Sequence, residues 1–167
     1  MPYQTMFSSQ DEGGEQVVKW ALKVTNLEHM AKKRVGQLSG GERQRAWIAL
    51  ALAQKTDILF LDEPTTYLDI YYQMEILSLV RKLNRNYNMT IVMVLHDINQ
   101  AMQFSDNLIV MKKGSICYAG PVEGGITEER LKEVYGIRAV IKWSEQNDCP
   151  YMIPLKECED FKAAAAV

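Results

Sequence analysis

The sequence predicts an α/β fold built on a parallel βαβ core, and three observations carry that expectation. Ile58-Leu59-Phe60-Leu61 and Thr90-Ile91-Val92-Met93-Val94-Leu95 are short, continuous apolar runs, the pattern of strands in a parallel sheet covered on both faces. Between them Ile70, Met74, Leu77, Val80 and Leu83 recur at helical spacing, which gives a crossover helix from Ile70 to about Asn86. Upstream, Leu38-Ser39-Gly40-Gly41-Glu42-Arg43-Gln44-Arg45 opens a further helix running to about Gln54, with Ser39 and Glu42 at the S-x-x-E spacing of a capping box.

In chain order, Met1 to Glu15 reads as an irregular entry containing Pro2 and the Gly13-Gly14 pair. Val17, Ala21 and Val24 then mark a helix over 16–26, and a short helical turn follows in 27–34. The C-terminal half of the capped helix, with Trp47, Ile48, Leu50 and Leu52, is apolar almost all round, which predicts burial in a core. The first strand run stops at Asp62-Glu63-Pro64, because proline cannot extend a ladder. The second stops at His96-Asp97. Ile98–Phe104 reads as a helix, Leu108–Met111 as a strand, and Lys113-Gly114 as a turn into a partner strand, Ser115–Ala119. Thr127 is placed to cap a helix reaching Tyr135, with Glu128 and Glu129 in the first turn where the helix dipole favours acids. Val140–Trp143 and Tyr151–Leu155 read as a terminal strand pair around a polar turn at 144–148. The Ala163–Ala166 run reads as a frayed tail.

At 167 residues, 47% hydrophobic and 24% charged, the chain has the composition of a soluble domain large enough to bury a core. A net charge of −2 gives no footing for nucleic acid or an anionic membrane. No apolar run approaches a membrane span, and no signal-peptide pattern opens the chain. Cys117, Cys149 and Cys158 are odd in number and lack C-x-x-C spacing, as free thiols in a reducing cytoplasmic compartment would be.

The candidate chemistry follows from position. Ligands bind beyond the carboxyl ends of strands in open parallel sheets, and Asp62, Glu63 and His96 each lie just past such an end. An Asp there can hold Mg²⁺, which prefers one or two carboxylates plus waters and phosphates. A neighbouring Glu can orient or deprotonate a water, and a His can donate to a phosphate. The paired glycines at the capped helix leave backbone N–H groups open to an anion at a positive helix terminus. Taken singly, these residues also read as a helix cap, a surface acid and a structural histidine. His29 has no such company and reads as structural.

The run Leu38–Arg45, the segment Ile58–Pro64, Leu68-Asp69 and then His96 resemble, in order and spacing, the ATP-binding cassette (ABC) ATPases. The resemblance implies a partial P-loop NTPase domain. Residues 1–37 would belong to the helical subdomain, 38–112 would hold the signature helix and βαβ core, and 113–167 would form a C-terminal extension of hairpin, helix and strand pair. It implies ATP and Mg²⁺ as cofactors. Ser39, Gly40, Gly41, Glu42 and Gln44 would face the nucleotide through the signature motif, and Asp69 would be the D-loop residue. Asp62 would be the Walker B magnesium residue, Glu63 the catalytic base and His96 the switch histidine. Thr65-Thr66-Tyr67-Leu68-Asp69-Ile70, Val94–Ala101 and Pro150–Leu155 are similar to the importer subunits for ferric siderophores, haem and vitamin B12. That similarity implies a second ATPase subunit, a transmembrane permease and, indirectly, a substrate-binding protein as partners. It also implies a cytoplasmic location on the inner face of the membrane.

No stretch reads G-x-x-x-x-G-K-[ST], the loop that cradles the β- and γ-phosphates. The phosphate-loop strand is therefore absent, and the chain resembles the second part of a subunit, with Met1-Pro2-Tyr3-Gln4 similar to the family's sequence just after its glutamine loop. Little hydrolysis is expected from this chain alone. A non-hydrolysing dimerisation or regulatory module is the alternative, and a soluble cassette ATPase acting in DNA repair or translation is a third reading, disfavoured by the lack of basic patches.

Overall fold

A computed structural model describes residues 12–158, so the expectations for the entry before Glu12 and for the alanine tail lie outside the described residues. The chain divides into two compact units, 1–95 and 96–167.

In the first unit, helix α1 (Glu12–Val24) begins four residues ahead of the expected start and runs through Gly13 and Gly14. Two glycines in the first turn are poorer helix formers than alanine, and burial of Val17, Ala21 and Val24 on the inner side offsets this. Two short 3₁₀ turns, Glu28–Met30 and Val35–Gln37, lead to α2 (Gly40–Leu52). The C-terminal half of α2 enters the core as expected, but not with all of its apolar residues. Ile48, Ala49 and Leu52 are buried, whereas Trp47 and Leu50 are exposed, so α2 packs on one side only.

Strand β1 (Ile58–Leu61) and strand β2 (Thr90–Met93) pair in parallel, Leu59 opposite Ile91 and Leu61 opposite Met93. They are joined by α3 (Ile70–Tyr87), which completes the expected βαβ unit. Asn88, in the left-handed region at φ 54°, ends α3, and the Asn84 side-chain amide donates to the Met89 carbonyl at 3.0 Å. The core joins Ala21, Leu27, Ile48, Leu52, Leu59, Ile76, Val80 and Leu83. Only one face of the β1–β2 pair meets that core. Ile58, Phe60, Val92 and Val94 are exposed, which corrects the expectation of a sheet covered on both faces.

The second unit opens with α4 (Ile98–Phe104), followed by the antiparallel hairpin β3 (Asn107–Lys112) and β4 (Ser115–Pro121). Lys113 and Gly114 both have positive φ, 47° and 78°, which fits the strand twist of a two-residue hairpin turn. Helix α5 (Glu128–Arg130) is capped by Thr127, whose hydroxyl accepts from the Arg130 N–H at 3.1 Å. It continues as a π turn, Leu131–Tyr135, and stops at Gly136, whose φ of 68° suits a residue without Cβ. Strands β5 (Ile137–Ser144) and β6 (Cys149–Glu157) form the terminal antiparallel pair. Met102, Leu108, Val110, Leu131 and Val134 make the core of this unit.

Candidate functional site

Ser39 stands in extended conformation at the N-cap of α2. Its hydroxyl accepts from the Glu42 N–H at 3.3 Å, while its own N–H donates to Glu42 Oε2 at 2.7 Å. The capping box expected from S-x-x-E is therefore formed in both directions. The donation from the Ser39 N–H favours the charged carboxylate and lowers the pKa of Glu42 below its ordinary value, with smaller help from the Ser39 hydroxyl, Lys33 and Arg45.

The two glycines serve different ends. Gly40 is exposed at the helix start, where a Cβ would stand 3.5 Å from Leu68 Cδ2, an ordinary contact. Gly41 is buried, and a Cβ there would come to 2.6 Å from Tyr72 Cδ1 and 2.9 Å from its Cγ. So Gly41 is needed for an internal approach, the start of α2 lying directly against the start of α3. The sequence alone suggests an incoming phosphate as the reason for both glycines, and it gives no sign of this approach.

Asp69 caps α3, its Oδ1 accepting from the Tyr72 N–H at 3.2 Å, and the Gln73 amide donates to the Leu68 carbonyl at 2.9 Å. Two capped helix N-termini thus share one edge, with Leu68 and Tyr72 between them. Behind that edge an ion pair joins Arg45 of α2 to Glu75 of α3, with side-chain exposures of 11% and 33%. Gln44 is half-buried on α2.

Asp62 and Glu63 follow the last residue of β1, and the Val94 N–H donating to the Leu61 carbonyl at 3.0 Å carries the parallel pairing one residue further. Asp62 is exposed and Glu63 half-buried. Glu63 has φ 48°, a left-handed conformation uncommon for a non-glycine residue, and Tyr67 repeats it at φ 63°. Between them Pro64 and Thr65 are buried, the Thr66 N–H donates to the Glu63 carbonyl at 3.2 Å, and the Thr66 hydroxyl donates to Glu63 Oε2 at 3.1 Å. A strained, over-determined turn holding a carboxylate is the kind of feature that clusters at functional sites.

His96 opens the second unit, exposed, one residue before Asp97, whose Oδ1 caps α4 by accepting from the Gln100 N–H at 2.9 Å. Among the described residues no group of three His, Cys, Asp or Glu side chains could hold a metal alone. Mg²⁺ takes one or two carboxylates and otherwise water and phosphate oxygen, and the exposed Asp62 carboxylate is a hard donor of that kind. Cys117, Cys149 and Cys158 are free thiols, as expected. No helix among the described residues is long and apolar enough to cross a membrane.

Three interactions have no signal in the sequence. They are the Gly41–Tyr72 approach, the Arg45–Glu75 pair and a clamp in the second unit, where Asn99 accepts from the Met152 N–H at 2.7 Å and donates to its carbonyl at 3.1 Å.

The family model described as ABC transporter matches residues 3–66. The chain is 47% identical over 154 residues to the petrobactin import ATP-binding protein FpuC of Bacillus anthracis, covering 92% of this chain and 56% of that protein. It is 41% identical over 154 residues to the ferric enterobactin transport ATP-binding protein FepC of Escherichia coli, covering 92% and 57%. Among solved structures it is similar to a putative metal-chelate type ABC transporter in an inward-facing conformation, with TM-score 0.78 and 30% identity over 89% of this chain and 59% of that one. A bacterial ABC transporter cassette solved as a dimer gives TM-score 0.58 and 35% identity over 72% and 53%. The chain spans about half the length of the curated relatives it matches. It belongs to the ABC transporter ATPase family, as part of an ATP-binding domain.

Proposed function

We propose that this chain is the portion of an importer's ATP-binding subunit that supplies the signature motif, the Walker B carboxylates, the D-loop and the switch histidine. When whole, the subunit energises uptake of an iron complex such as a ferric siderophore. The observation that carries this reading is the edge built from two capped helix starts, Ser39–Glu42 on α2 and Asp69 on α3, in one unit with Asp62-Glu63 at the end of a parallel strand.

The division of labour follows the chemistry of each group. Ser39, Gly40, Gly41, Glu42 and Gln44 form or brace a positive helix terminus suited to a phosphate. Asp62 offers one hard oxygen to Mg²⁺. Glu63, held by Thr66, is placed to orient an attacking water or take its proton. His96 donates to phosphate oxygen, and Asp69 caps α3 at the face offered to a second subunit. Bound Mg-ATP supplies the phosphoryl group whose transfer is driven by positioning and charge neutralisation. The partners are a second ATPase subunit, a transmembrane permease and, through it, a substrate-binding protein, with the subunit on the cytoplasmic face of the membrane. Residues 1–37, 38–112 and 113–167 then serve as helical subdomain, catalytic core and extension.

The alternative reading is a dimerisation or regulatory module that hydrolyses nothing. Calorimetric titration with Mg-ATP tests the first reading. The chain alone is expected to give no micromolar binding, and the chain joined to the portion of the Bacillus relative it does not match is expected to bind and hydrolyse ATP. Binding without hydrolysis in the joined protein favours the regulatory module. Micromolar binding by the chain alone overturns the assignment of the main phosphate contacts to residues outside it.

A further inference from the structure

Asn99 and Met152 stand 53 residues apart in the chain, and the fold joins them. Each lies in a stretch that the sequence singles out, Val94–Ala101 for the one and Pro150–Leu155 for the other. Asn99 occupies the first turn of α4, and Met152 lies in β6 opposite Ile141 of β5. The Asn99 side-chain oxygen accepts from the Met152 N–H at 2.7 Å, and its amide nitrogen donates to the Met152 carbonyl at 3.1 Å. Two bonds from one planar group to one residue fix orientation as well as separation. The packing runs the same way, since Ile98, Ala101 and Met102 of α4 share a core with Ile141 and Met152 of the strand pair.

Helix α4 needs that support. It has seven residues, and helices so short depend on tertiary packing for their stability. Its start is capped by Asp97, which accepts from the Gln100 N–H at 2.9 Å, and His96 is the residue immediately before that cap. The direction in which His96 leaves the helix is therefore set by where the first turn of α4 sits, and Asn99 ties that turn to β6. A side chain that acts on a reacting group has to be held closely, because a misplacement of about 1 Å costs up to about a hundredfold in rate. We propose that Asn99 is a positioning residue for phosphoryl transfer. Through its two bonds to Met152, the strand pair β5–β6 braces α4 and, with it, His96. The C-terminal strands then act on the reaction through the histidine. The inference rests on the reading of His96 as a donor to phosphate oxygen. A clamp that served the stability of the second unit alone would leave the turnover of folded protein unchanged when broken.

The test uses this chain joined to the portion of the Bacillus relative it does not match, and measures ATP turnover against Mg-ATP concentration. Wild type is compared with Asn99→Ala, His96→Ala and the double variant, each assayed where circular dichroism shows it folded. Asn99→Ala is expected to lower kcat about tenfold or more while KM changes less than about twofold, the split of a group that acts in the transition state and not in binding. In the His96→Ala background the same change is expected to cost nothing further, because its route to the reaction is gone. Asn99→Asp, which keeps the acceptor for the Met152 N–H, is expected to recover part of the rate, and it replaces the alanine variant if that one does not fold. Arg130→Met removes two bonds to the Gly124 and Gly125 carbonyls in the same unit and is expected to keep the wild-type kcat. The proposal is overturned if the Asn99 variants turn over at the wild-type rate, if their loss is the same with and without His96, or if Arg130→Met loses as much. Wild-type turnover by His96→Ala removes the role given to His96 in the proposed function, and the positioning role falls with it.

Discussion

Gly41 lies against the ring of Tyr72 so closely that a Cβ on the glycine would stand 2.6 Å from Tyr72 Cδ1. The start of α2 is thereby seated on the start of α3, and the position of the capped helix edge is set from inside the fold. Gly41→Ala forces the base of the Tyr72 side chain to shift, and overpacking of this kind costs about 1–3 kcal/mol. Urea denaturation of Gly41→Ala should show that loss. Adding Tyr72→Ala should recover part of it, giving a non-additive double-mutant cycle. Additive losses would mean that the two residues do not meet.

The capping box makes one acid-dependent contribution. The pKa of Glu42 is lowered in the fold, chiefly by the Ser39 N–H. A depressed carboxylate stabilises the fold above its unfolded pKa, near 4.3 for glutamate, and that contribution is lost as pH falls through the folded value. Glu42→Gln keeps an acceptor for the Ser39 N–H but cannot titrate. Wild type should therefore exceed the variant in stability near pH 6, and the gap should close as pH falls below about 4. Urea midpoints across that range provide the check, and a gap independent of pH would contradict the assignment.

In the second unit Asn99 holds Met152 of β6, the register partner of Ile141 in β5, by two hydrogen bonds to its backbone. Asn99→Ala leaves both backbone groups without these partners, a loss of about 1–3 kcal/mol. Asn99→Asp preserves the acceptor for the Met152 N–H and removes the donor to its carbonyl, so it should fall between wild type and alanine. Hydrogen exchange at the Met152 amide should follow the same order, and an unchanged rate in Asn99→Ala would show that the clamp does not protect that strand.

Leu52, Leu77 and Leu83 are fully buried. Each Leu→Ala change should cost about 2–5 kcal/mol in denaturation experiments, the usual cost of a core cavity. Phe60→Ala, at an exposed site, should cost the isolated chain far less. Equal losses would mean that Phe60 is packed.

What can be read from the sequence is local. The Ser39–Glu42 box, the Thr127 cap, the Lys113-Gly114 turn and both parallel strands follow from residues within a few positions of one another. Burial is harder to read because it depends on distant partners. Trp47 and Leu50 read as core by their apolar character, yet nothing in the described structure covers them. Phe60 and Val92 read as the inside of a two-faced sheet, and no described residue supplies the covering layer. Gly13 and Gly14 read as a break because their propensity argues against a helix, and the packing of Val17 and Ala21 overrides it. Of the candidate site, the position of Asp62 and Glu63 beyond a strand end is readable in advance. The strained turn at Glu63 and the Gly41–Tyr72 seat are not, since both are set by packing.

The functional reading turns on Glu63 as the catalytic base of the subunit to which this chain belongs. The direct test is ATP turnover by a full-length subunit carrying this sequence, with Glu63→Gln compared to wild type. Turnover should fall about a hundredfold or more, the scale of a lost general base, while Mg-ATP binding persists. Undiminished turnover with Glu63→Gln would contradict that role.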